Sequence, residues 1–82
     1  MVLSRHFVEN WRKRVGNEPS VEIVQQIMRE GVIVQKPLLL RTLEGRPHKQ
    51  LGIYWEPRLN VIVTIDEFKY MAVSVLSERN GR

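Results

Sequence analysis

Few residues in this chain have side chains suited to reaction chemistry. The only histidines are His6 and His48, the only aspartate is Asp66, and cysteine is absent. Zinc takes three or four ligands and a two-metal site takes clustered acids, so neither a metal nor a cofactor is expected. Ser4, Ser20, Ser74 and Ser77 stand outside any Gly-x-Ser-x-Gly elbow, and the glycines are isolated from one another. Serine hydrolysis and phosphate-loop chemistry therefore have no support. Lysine, arginine, histidine and tyrosine remain. Cations neutralise phosphodiesters, and aromatic rings stack on unpaired bases. The same groups can cleave RNA without metal: the 2′-hydroxyl attacks its own phosphorus, a base takes its proton, and cations stabilise the charged transition state. Arg46, Lys49, Tyr54 and Arg58 are the candidates for gripping RNA. Lys13 and His6 share the polar face of a first helix and would supply charge and proton transfer. For each of these residues the plain alternative is a solvated surface position.

The chain that must position these groups has 82 residues, 43% hydrophobic and 27% charged, with a formal charge of +4. One domain over residues 1–82 is expected, frayed at 1–3 and 78–82, because two domains would each be too small to hold a core. The charge is uneven. Residues 31–58 carry five basic and two acidic side chains (5 − 2 = +3), mainly through Lys36, Arg41, Arg46, Lys49 and Arg58. No apolar run approaches a membrane span and no signal sequence opens the chain, so a cytoplasmic protein is expected.

Ser4 is placed to cap a first helix with Phe7, Val8, Trp11 and Val15 on one stripe, broken at Gly16, Asn17 and Pro19. Ser20 opens a second, with Val21, Val24, Ile27 and Met28 buried and Gly31 as its left-handed C-terminal residue. Val32–Gln35 reads as an edge piece interrupted by Pro37. Strands are predicted at Leu38–Leu43, Lys49–Trp55, Leu59–Ile65 and Tyr70–Leu76, joined by the short links Glu44–His48, Glu56–Arg58 and Asp66–Lys69. The expected fold is α+β: two N-terminal helices packed on a four-stranded antiparallel β-meander. Alternation puts Leu51, Ile53 and Trp55 on the helix-facing side with Val61, Val63, Ile65, Met71, Val73 and Val75. Trp11 and Trp55 are then core. Leu38, Leu40, Ile62 and Leu76 fall on the open face, where an apolar strip would take a partner segment or a second copy of the chain.

The C-terminal half carries a pattern. Leu51-Gly52-Ile53 precedes a turn, the Val-rich run Leu59–Ile65 follows, and the last strand leads into Ser77-Glu78-Arg79. Together with Asn10-x-x-Lys13 on the first helix, this resembles the BrnT branch of the RelE-like ribonuclease toxins. His6 also matches the opening His of a related group of short phage and mobile-element domains. Arg14-Val15 stands where the toxin family has His-Gly, and Asn10 stands where the phage group has Arg. The resemblance implies a RelE-like two-layer fold and a metal-independent endoribonuclease toxin, acting on mRNA and neutralised by an antitoxin. Arg79 would clamp the scissile phosphate beside Lys13, with His6 as acid or base. The alternative is a non-catalytic module of the same shape that binds RNA or protein through its open sheet face.

Overall fold

The computed structural model describes residues 1–77, so Arg79 and the expected frayed segment 78–82 lie outside the described residues. Two helices lie on one face of a five-stranded mixed sheet. The elements run β1 (Val2–Leu3), α1 (Arg5–Arg14), α2 (Val21–Glu30), β2 (Val32–Arg41), β3 (Pro47–Glu56), β4 (Val61–Asp66) and β5 (Met71–Ser77), and the sheet order is β1-β5-β4-β3-β2. The α+β class is as expected. The four-stranded antiparallel meander is corrected: Val2–Leu3 add a fifth strand, parallel to β5. The Val2 amide donates to the Tyr70 carbonyl at 3.1 Å and the Ser4 amide to the Ala72 carbonyl at 3.0 Å. Two residues are too short to show a period, which is why this strand has no sequence signature.

Both helix starts fall where the caps are. The Ser4 hydroxyl accepts from the Phe7 amide at 3.0 Å, and the Ser20 hydroxyl from the Ile23 amide at 3.2 Å. Phe7 and Trp11 of α1 bury against the sheet with Val24 and Ile27 of α2. The Trp11 indole N–H donates to Asn17 at 2.7 Å, fastening the interhelical loop to the core. Gly31 ends α2 in extended backbone (φ −75°), not the left-handed conformation expected. The glycine is there for space: a Cβ would sit 2.6 Å from the Ile27 carbonyl oxygen and 2.7 Å from that of Trp55.

The main correction concerns register. Gly52, Tyr54 and Glu56 face the helices, paired with Ile65, Val63 and Val61, while Leu51, Ile53 and Trp55 face the other way. Turn length is the cause. A three-residue link at Glu56–Arg58 would pair odd positions of β3 with odd positions of β4. The observed link has four residues, 57–60, and so pairs odd with even, which exchanges the faces of β3. The β4–β5 link, 67–70, is also four residues long and turns Ala72 inward in place of Met71 and Val73. A bulge at Val73 then restores Val75 to the core. Each turn closes on a left-handed residue, Asn60 (φ 54°) and Tyr70 (φ 52°).

β2 also departs from expectation. It runs unbroken through Pro37 to Arg41, because a proline is tolerated on an edge strand. Register shifts between Ile33 and Gln35 and between Gln35 and Leu38 absorb the misfit.

Candidate interaction surface

The core is complete on one side of the sheet. Val61, Val63, Ile65, Ala72 and Val75 meet Phe7, Trp11, Val24 and Ile27 there, with Tyr54 at the margin. The opposite face has no element of this chain over it among the described residues. Pairing of Leu38 with Leu51, of Gln35 with Ile53, of Trp55 with Ile62 and of Ile62 with Leu76 lays these side chains across four strands on that face. Leu38 is 53% exposed, Leu76 55% and Trp55 37%. Trp55, expected in the core, is thus on the open face. Two charged residues pair into this face: Lys49 opposite Leu40, and Asp66 opposite Leu51, buried with its carboxylate held by the Gln50 and Phe68 amides.

Beyond the helices, β2 and β3 continue as an arm. Its tip is a hydrogen-bonded turn: the Thr42 amide donates to the Arg46 carbonyl at 2.8 Å, the Gly45 amide to the Thr42 carbonyl at 2.9 Å, and the Arg46 amide to the Thr42 hydroxyl at 3.2 Å. This ordered turn holds Leu43 fully in solvent. Leu39 and Leu40, on opposite faces of β2, are both exposed. An edge strand with leucines outward on both faces is an unusual surface for an isolated domain.

The residues singled out for RNA chemistry occupy separate surfaces. His6 and Lys13 are exposed on α1, seven residues or about 10 Å of helix apart. The Asn10 amide donates to the His6 carbonyl oxygen at 2.9 Å. Arg46 is at the arm tip, and Lys49 lies on the open face. Arg58 sits in the β3–β4 turn, held by Glu56 at 3.1 Å and Glu30 at 3.7 Å. It borders a hollow of about 260 Å³ with Ile23, Gln26, Ile27, Glu56 and Leu59. Arg58 also draws the Glu56 carboxyl below its usual range, first through its side chain and then through its backbone N–H.

Tyr54 is not a stacking platform. It is 6% exposed, on the helix side of the sheet, and its hydroxyl donates to the Glu67 carboxylate. Burial first, and then that hydrogen bond, raise its pKa to about 12. The ring lies along its own strand over Gly52, where a Cβ would come within 3.2 Å of it and 3.3 Å of Glu67. The Leu51-Gly52-Ile53 element of the sequence pattern is thereby explained as a seat for Tyr54.

Sequence reasoning placed Leu38, Leu40, Ile62 and Leu76 on the open face and missed Leu51, Ile53 and Trp55. Turn length was the signal that would have found them. No group of three or more His, Asp or Glu residues capable of holding a metal occurs among the described residues. No helix there is long and apolar enough to cross a membrane. Comparison with protein-family models, with curated proteins and with solved structures found no match to this chain.

Proposed function

We propose that this chain is a non-catalytic protein-binding module that works through the open face of its sheet. One observation carries the reading: a strip of Leu38, Leu51, Ile53, Trp55, Ile62 and Leu76 faces away from a core already complete without it. An uncovered apolar sheet face is costly in water and marks a surface that another molecule covers. His6 and Lys13 on α1, Arg58 in the β3–β4 turn, and Arg46 and Lys49 on the β2–β3 arm lie on three separate surfaces, which supports binding over reaction.

Tagged chain expressed in its native host tests this. A specific protein should co-purify with the wild type and with Lys13→Ala and Arg79→Ala, and should be lost from Leu38→Asp and Leu76→Asp. Induced expression of the same set covers the competing reading, the RelE-like ribonuclease toxin. Growth arrest by the wild type, relieved in folded Lys13→Ala or Arg79→Ala, would replace the binding module with the toxin.

A further inference from the structure

The open face has a charge as well as a shape. Between Val32 and Gln50 the chain carries Lys36, Arg41, Arg46 and Lys49 against Glu44 alone, four basic minus one acidic, or +3 of the formal total of +4. None of these four cations pairs with a carboxylate among the described residues, whereas Arg5, Arg12 and Arg58 all do. Lys49 stands on the open face opposite Leu40, Lys36 and Arg46 lie on β2 and the arm turn beside it, and Arg41 alternates to the other face, its guanidinium donating to the Gly45 carbonyl at 3.0 Å.

The edge and the face differ in what they accept. Strand addition along β2 needs an unbroken row of backbone donors and acceptors. Pro37 has no N–H, and two register shifts within Ile33–Leu38 bend the edge. The face suits a helix. Four strands span about 14 Å, and a helix with its side chains is about 10–12 Å across. Two copies of this chain each carry a formal +4, and like charges brought together disfavour that complex.

We propose that the open face and arm receive an acidic amphipathic helix from a partner protein, its apolar stripe on Leu38, Leu51, Ile53, Trp55 and Leu76 and its carboxylates on Lys49 and the neighbouring cations Lys36 and Arg46. This rests on the protein-binding reading above and names the chemistry of the partner.

The probes are two synthetic helical peptides of about five turns with the same leucine stripe at i, i+3, i+4 and i+7. One carries glutamate on its flanks and the other lysine. Trp55, on the surface, reports binding by fluorescence, while Trp11 is enclosed in the core. The acidic peptide should bind at least about tenfold more tightly at low salt, with the difference shrinking as salt rises. A Lys36→Glu/Lys49→Glu variant should reverse the preference, and Leu38→Asp should abolish binding of both peptides. Equal binding, or preference for the basic peptide, overturns the acidic partner and leaves the face as a binding surface. If neither binds and the chain sediments as a dimer that Leu38→Asp dissociates, a second copy is the occupant and the proposal is wrong. If neither binds and the chain is a monomer, the protein-binding reading fails as well.

Discussion

Tyr54 shows how one residue can look functional in sequence and be structural in the fold. A tyrosine on a strand near lysine and arginine is a plausible base-stacking group. Here the ring is enclosed, seated over Gly52, and its hydroxyl donates to the Glu67 carboxylate. Raising a phenol from its ordinary 10.0 to about 12 means that the folded protein keeps a proton the unfolded chain has lost throughout that window. Stability from this group is therefore constant below about pH 10 and falls as pH rises toward about 12, because the folded state binds more protons than the unfolded one. Urea midpoints at pH 9, 10.5 and 11.5 should fall more steeply for the wild type than for Tyr54→Phe. Tyrosinate absorbance in a Tyr70→Phe background isolates the Tyr54 titration. Identical slopes for wild type and Tyr54→Phe would remove the buried phenol from this account.

At the scale of elements, the turns decide more than the strands do. Asp66 ends β4 and accepts from the Gln50 and Phe68 amides at 3.0 Å each. Glu56 ends β3 and accepts from the Arg58 amide at 2.8 Å. An acid at the last paired position, binding the N–H two residues on, thus recurs ten residues apart and builds the two four-residue links. Burial alone would raise the Asp66 pKa, but the backbone donors of Gln50, Phe68 and Lys69, with the Lys69 charge, hold it below 3.8. The stability it contributes is complete above that value and drains away as pH falls below it. Asp66→Ala should cost about 1–3 kcal/mol at neutral pH by stranding those donors. Asp66→Asn should flatten the acid limb of a thermal-stability profile, and an unchanged limb would assign acid sensitivity to other carboxylates. The same turns set the limit of what the sequence discloses. Ser4 and Ser20 declare their helices because a cap is a local device, and the apolar stripes of α1 and α2 are visible as periods. β3 has apolar residues at Leu51, Ile53 and Trp55 and a tyrosine at 54, so hydrophobicity alone favours the wrong face. Only the count from Pro57 to Asn60 separates the alternatives, and strand ends are where sequence patterns are least definite. The leucines of β2 were legible as an unpartnered strip, but their neighbours on β3 were hidden by that parity.

The whole molecule is asymmetric in how its apolar groups are used. On the helix side, Ile65 is fully enclosed and touches the core that α1 and α2 complete. On the other side, Leu38 is about half exposed on an arm that extends a molecule 42 Å long and 26 Å wide. If the open face were a second core for this chain alone, polar substitution there would unfold it. If it serves another molecule, the chain should tolerate that change. Ile65→Ala should cost about 2–5 kcal/mol in urea unfolding, as removal of a buried aliphatic group does. Leu38→Asp should stay within about 0.5 kcal/mol of the wild type, as surface changes do, and should raise solubility because it interrupts the strip. Native-state hydrogen exchange provides an independent check on the same division. Amides of central β4, bonded on both sides, should be the slowest, and those of Leu38–Arg41 at the free edge should exchange at least about tenfold faster. A Leu38→Asp variant as unstable as Ile65→Ala would mean that the arm supports the fold itself, and the open face would lose its standing as a surface held ready for a partner.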